Sequence, residues 1–196
     1  MRDFFSAKIC VVLVSLIFLL LSCDETTSKN EDLVSLIPQN TDIILRINDI
    51  NSIKNKFKND ELLKNLHFPK DVKLKVKNLV NDSLNNQIIA FSNFGKEEKA
   101  ITVIHKRTKD SSYLKYEKII YSGKPIFKFK VGDTEFYKTF IQNNTIVGDS
   151  RIIIENCIRN HQQQKEGIND DNFNEILGTA DQKRGINLFL KGNPKL

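Results

Sequence analysis

Three histidines and three cysteines are the side chains of this chain best suited to metal binding or nucleophilic catalysis. His67, His105 and His161 lie far apart in the sequence. None of them stands at a metal-ligand spacing from another histidine or from Cys157. Cys157 falls on the apolar stripe of a predicted helix, where a thiol is buried and unreactive. Since the sequence also has no phosphate-binding glycine loop and no Gly-x-Ser-x-Gly turn, it predicts no catalytic residue, no metal site and no cofactor.

A different cysteine, Cys23, ends the most unusual stretch of the chain. Residues 9–21 form a nearly unbroken apolar run behind a basic start, Ser22 follows it, and the composition turns polar at Asp24. The run is shorter than the roughly 20 residues that a membrane-spanning helix needs. Its length is that of the apolar core of a secretory signal peptide. An uncleaved anchor reaching back to Phe4 remains an alternative, as does plain secretion, although no Ala-x-Ala-like cleavage site follows the run.

The residues Leu20, Leu21, Ser22 and Cys23 together resemble the lipobox of bacterial lipoproteins. The resemblance implies that residues 1–22 are a signal peptide, recognised by its peptidase through Leu20, Leu21 and Ser22. It also implies that the thiol of Cys23 is acylated. One acyl chain gives only marginal membrane binding, and a second chain makes the anchor stable. The implied location is the bacterial cell envelope, with the membrane as a partner through the lipid anchor.

Residues 23–32 carry the acylated cysteine and a short polar segment with little to bury, which predicts a flexible tether. Asp24, directly after the cysteine, resembles an inner-membrane retention signal of lipoproteins. The pair Asp24 and Glu25 equally resembles a surface-export signal. The choice between inner and outer membrane, and the leaflet, therefore stays open.

One folded domain is expected to occupy residues 33–196. Its first part reads as a strand, Asp42 to Ile47, followed by three amphipathic helices that begin near Ile50, near Glu61 and after Pro69. Acidic residues at the expected helix starts are interpreted as caps: Asp49, Asp60 and Asp149.

From Gln87 onward the spacing changes to the period of two that is typical of strands. Six strands are predicted, at 87–94, 100–107, 116–121, 126–131, 135–141 and 145–147. Their short polar or glycine-containing connections favour hairpins between neighbours. A helix up to about Asn160 follows, and Ile186 to Leu190 reads as a last strand. The expected fold class is α+β, with N-terminal helices packed on an antiparallel β-meander, behind the signal peptide and the flexible tether.

The last predicted strand leaves two alternatives, because the sequence ends six residues after Leu190. It either completes the meander as the closing strand, or residues 33–196 are the first module of a longer protein.

The order of lipobox, tether, strand and paired helices also resembles a family. Its matching segments are 37–49 (Ile-Pro-Gln-Asn-Thr-Asp-Ile-Ile-Leu-Arg-Ile-Asn-Asp), 61–66 and 144–150. They are similar to the N-terminal region of uncharacterised lipoproteins of flavobacteria and, more loosely, to DUF3352-type envelope proteins. Members are often much longer, which favours truncation or an isolated first module, and no established activity comes with the resemblance.

The net charge of the chain indicates which kinds of binding partner are suitable. The chain has a net charge of +6, with lysines gathered in the helical segment and in the meander. Such a surface suits anionic lipid or an acidic glycan, but it is equally typical of a solvated face in a lysine-rich proteome. No nucleic-acid partner is expected, because the compartment is wrong and the aromatic residues read as core.

The function expected from the sequence is a membrane-anchored, non-catalytic binding or scaffolding module, with the bilayer, another envelope protein or a glycan as partner. The alternative is the N-terminal part of an envelope hydrolase whose catalytic residues lie downstream of Leu196 or have no recognisable pattern.

Overall fold

Strands make up most of the chain that the computed structural model describes, namely residues 33–52, 54, 68–95, 98–108, 115–165, 175–176, 179–181 and 183–191. The strands are β1 (Thr41–Ile47), β2 (Gln87–Phe94), β3 (Glu98–Lys106), β4 (Glu117–Tyr121), β5 (Lys124–Val131), β6 (Thr134–Ile141), β7 (Asn144–Gly148) and β8 (Ile186–Leu190). The helices are a 3-10 turn (Leu33–Leu36), α1 (Lys70–Leu79) and α2 (Arg151–Gln162).

All eight strands join one antiparallel sheet in the order β4-β5-β6-β7-β3-β2-β1-β8. The sheet therefore consists of two meanders, β1-β2-β3 and β4-β5-β6-β7, which meet where β7 pairs with β3. In that junction Val103 lies opposite Val147 and Thr102 lies opposite Gly148. After β3 the chain continues to β4 at the far edge of the sheet. It then forms β5, β6 and β7 in turn, and β7 lies next to β3.

The expected fold class, α+β with N-terminal helices packed on a meander, is wrong: the described chain is mostly β. β1 and β8, the first and last described strands, are part of the sheet, and β8 pairs with β1 at an edge. The two α-helices are short and pack on opposite faces of the sheet. The apolar strand patterns located the strands, but they carry no information about which strand pairs with which.

Several element bounds are nevertheless as predicted. β2 and β8 occupy 87–94 and 186–190, and α1 begins directly after Pro69. Most of the helix predicted near Ile50, and all of the one near Glu61, lie outside the described residues; residues 50–52 and 54 are helical. Asp49 accepts a hydrogen bond from the backbone N–H of Asn51 at 3.0 Å, as expected of a cap.

Each face of the sheet has its own apolar core. On the α1 face, Val76 and Leu79 of the helix pack with buried residues that include Leu45, Ile89 and Val103. On the α2 face, the helix packs with a second set of buried strand residues, among them Ile44, Ile88, Ile104 and Ile146. Because the central strands are covered on both sides, they read as continuous apolar runs rather than as alternating ones.

The junction between β3 and β7 has a special geometry at Gly148. A Cβ atom placed there would lie 2.6 Å from the backbone oxygen of Ile101. Glycine is therefore required by the close approach of the two strands rather than by an unusual φ angle.

The next residue, Asp149, extends the pairing after β7 has ended. Its backbone N–H donates to the oxygen of Ile101 at 3.2 Å, and its Oδ1 accepts from the N–H of Ile101 at 2.8 Å. The interpretation of Asp149 as a cap of α2 is wrong, because Ser150 is the N-cap and makes no side-chain cap hydrogen bond. The carboxylate supplies the acceptor that a further β7 residue would have supplied.

We expect Gly148→Ala to destabilise the sheet by about 1–3 kcal/mol, because the added methyl group forces β3 and β7 apart. Urea unfolding followed by far-UV circular dichroism measures the difference. Lys70→Ala, an exposed change at the start of α1, is the control and should stay within about 0.5 kcal/mol of wild type. Equal midpoints for G148A and K70A would contradict the close approach.

Candidate functional site

The predicted site residues Leu20, Leu21, Ser22 and Cys23 lie outside the described residues, as do the tether and His67. Within the described part of the chain, no cluster of three or more His, Cys, Asp or Glu side chains is placed to hold a metal ion. No described helix has the length and apolarity of a membrane span.

The thiol of Cys157 is buried on α2, as the sequence predicts. Its Sγ lies 3.9 Å from the backbone oxygen of Leu36. Burial raises the pKa of this thiol to about 12. Because only the thiolate is a strong nucleophile, Cys157 is a packing residue.

His105 is buried in β3, on the α1 face of the sheet. Its Nδ1–H donates to the backbone oxygen of Lys106 at 2.7 Å, which fixes the tautomer. Burial lowers the pKa of His105 below its ordinary value, the hydrogen bond to Lys106 opposes that shift, and the nearby charge of Lys138 adds to it. The ring is therefore neutral in the folded protein at neutral pH.

A pocket of about 260 Å³ opens between α1 and the sheet, with aromatic and polar walls. Phe68 and Phe91 stack in its lining at a ring-centroid distance of 4.5 Å. Asp149, whose side chain is only 7% exposed, is paired with Lys75 of α1 at 2.9 Å. The same carboxylate that completes the β3–β7 pairing thus also fastens α1 to the sheet.

An aromatic cluster occupies the α1 face of the second meander. Its rings contact one another at centroid distances between 5.6 and 5.9 Å, and we call this set the aromatic face: Tyr116, Phe127, Phe129, Phe136 and Phe140. Phe136 is fully buried, whereas Phe127 and Phe140 are half-buried. The expectation that the aromatic residues belong to the core therefore holds for Phe129 and only in part for Phe127.

Two cations lie against these rings. The Nζ of Lys138 is 4.4 Å from the centroid of Tyr116 and donates to its hydroxyl group at 2.8 Å. The guanidinium carbon of Arg107 is 4.2 Å from the centroid of Phe140. Cations at this distance are attracted by the ring quadrupole. The aromatic face is therefore positively charged as well as apolar.

A shallow groove of about 640 Å³ lies at one end of β4, β5 and β6. There Glu135 accepts from Lys128 at 3.0 Å and from Lys130 at 3.4 Å. The hydrogen bond from Lys128 lowers the pKa of Glu135, and the same bond raises the pKa of Lys128. These side chains are partly or fully accessible to solvent, so the ion pairs are screened and contribute little to stability.

The two edge strands of the sheet expose large apolar side chains. Ile120 of β4 is 60% exposed, and in β8 the exposed residues are Leu188 at 42% and Leu190 at 51%. Sequence reasoning missed this surface, because it did not identify which strands stand at the edges. The available signal was the short length of β4, in which Ile120 lies two residues after Lys118.

No family model, curated protein or solved structure matches the chain. Its function is therefore argued from its own residues.

Asp149→Ala should cost about 2–4 kcal/mol of unfolding free energy, because it leaves the buried N–H of Ile101 without an acceptor and Lys75 without its partner. Asp149→Asn keeps an acceptor oxygen and should cost clearly less. Chemical unfolding of both variants measures the two contributions. Equal costs for D149A and D149N would contradict the role of Asp149 as an acceptor for Ile101.

Acidification should destabilise the protein through His105. The folded pKa lies below the unfolded value of 6.5, so the unfolded chain binds more protons as the pH falls through that value and stability drops. Unfolding free energies between pH 7.5 and 5 should show a smaller drop in His105→Asn than in wild type. His161→Asn, on α2, is the control that retains the drop. If the unfolding free energy of H105N falls as steeply with pH as that of wild type, His105 is not the cause of the drop.

Proposed function

We propose that the protein is a lipid-anchored lipoprotein of the bacterial cell envelope whose sheet domain is a non-catalytic binding module. The anchor part of the proposal is supported by the sequence from residue 9 to residue 25, in which an apolar run of signal-peptide length ends in Leu-Leu-Ser-Cys and a polar segment follows. An acylated Cys23 then fixes the chain to the membrane, and residues 23–32 separate the anchor from the domain.

The binding part of the proposal is supported by one structural observation: both edge strands of the described sheet present exposed apolar side chains. Among the described strands, β4 and β8 have a partner on one side only. Exposed edges of this kind are sites where another chain or surface attaches. Among the described residues, Cys157 and His105 are buried and serve the fold.

Replacing the cysteine of the lipobox tests the anchor. We expect Cys23→Ser to abolish incorporation of a clickable fatty acid and to move the chain from the membrane fraction to the soluble fraction. The full-length protein, expressed in a bacterial envelope and detected by gel fluorescence and fractionation, is the material for this measurement.

Cys10→Ser is the matched control, because it changes a cysteine within the apolar run and leaves the lipobox intact. It should be labelled like wild type. Labelling of C23S at the wild-type level would refute the anchor, since no other residue of the lipobox can carry the acyl group.

A further inference from the structure

One corner of the sheet combines an exposed apolar side chain with basic ones. We call it the β4 corner and define it on the α1 face by Lys118, Ile120, Pro125 and Phe127. The register of β4 and β5 places Lys118 beside Phe127 and Ile120 beside Pro125. Lys118 is exposed, Ile120 is the most exposed large apolar residue described, and Phe127 continues into the aromatic face.

The charge of this face is positive. Arg107 and Lys138 lie over the aromatic rings next to the β4 corner, and Lys118 adds a third cation. The neighbouring carboxylates of the described strands, Glu117 and Glu135, are on the opposite face, where they lie across from Lys128 and Lys130. A partner that binds the β4 corner should therefore be anionic.

The exposed isoleucine decides which anionic partner fits. A soluble acidic polymer would use the cations but would gain nothing from a bare aliphatic side chain. At a bilayer surface, basic side chains meet the phosphates while an apolar side chain enters the boundary of the acyl chains. An exposed apolar residue that shares its face with cations is therefore matched to a membrane rather than to a glycan.

We propose that the β4 corner rests on the anionic phospholipid surface of the membrane, with Ile120 inserted below the phosphates. This inference depends on the proposed function, because the lipid anchor holds the domain close to that surface. A ten-residue tether spans at most about 35 Å when extended. Eight strands at about 4.8 Å spacing make a sheet of similar width, so the tether allows an edge to face the bilayer.

The chain contains no tryptophan, so Ile120→Trp places a single tryptophan, excited selectively at wavelengths that tyrosine does not absorb, at the β4 corner. The full-length I120W protein is reconstituted into phosphatidylcholine vesicles with or without phosphatidylglycerol, and brominated acyl chains serve as the quencher. We expect the indole to be quenched at least twofold in the anionic vesicles and much less in the neutral ones. Leu188→Trp, at the opposite edge of the sheet, is the matched control and should stay unquenched.

Reversing the charges tests the recognition. The double change Lys118→Glu and Arg107→Glu in the I120W protein should abolish the quenching, whereas Lys70→Glu with Lys73→Glu on α1 should leave it unchanged. A circular dichroism spectrum shows whether each variant keeps its sheet. Equal quenching in neutral and anionic vesicles would overturn the proposal. So would a spectral change on adding a soluble acidic polysaccharide while vesicles give none.

Flotation of the vesicles separates the two proposals. If the protein floats with the vesicles while the indole of I120W stays unquenched, the anchor proposal stands and the β4 corner proposal is wrong. If the protein does not float, but its indole is quenched when anionic vesicles are in excess at low salt, the β4 corner proposal stands and the anchor proposal is wrong.

Discussion

The carboxylate of Asp149 is the constraint on which the arrangement of the sheet depends. It accepts from Ile101 of β3, its residue follows the last residue of β7, and it pairs with Lys75 of α1. Three elements that are distant in sequence therefore meet at one buried charge. A strand that turns away into a helix would normally leave its neighbour with an unpaired N–H group, and such a group is costly when buried. Asp149 removes that cost, and the adjacent Gly148 permits the close approach that its bonds require.

This junction divides the domain into two halves with different surfaces. The first meander carries α1 on one face, and its strands are buried on both sides. The second meander carries α2 on one face, where Gln162 bonds to Ser122 in the turn between β4 and β5. That turn reverses the chain tightly, with positive φ angles at Ser122 and Gly123, as in a type I′ hairpin. Its other face carries the half-buried aromatic rings and their cations, so the second half supplies a surface available to a partner.

Local patterns predicted the elements well, because they report what each segment buries. Apolar runs between polar turns gave the bounds of β2 and β8, and the apolar stripe of α2 gave the burial of Cys157. Pairing could not be predicted in the same way. Nothing in the residues of β3 indicates that its partner is β7 rather than β4, and Asp149 looks like a helix cap because its role depends on Ile101, 48 residues earlier. The predicted fold class was wrong because the strand pairing was unknown. The β4 corner was missed for the same reason, since it depends on β4 being an edge strand.

Amide hydrogen exchange at Ile101 tests the central claim most directly. In wild type, the N–H of Ile101 should be protected to the same degree as that of Val103, the next residue of β3 on the same face. In Asp149→Ala, the protection of Ile101 should fall by at least about tenfold more than that of Val103, because only Ile101 loses its acceptor. Equal changes at both residues, or an Ile101 that exchanges freely in wild type, would show that the carboxylate does not complete the pairing of β3 with β7.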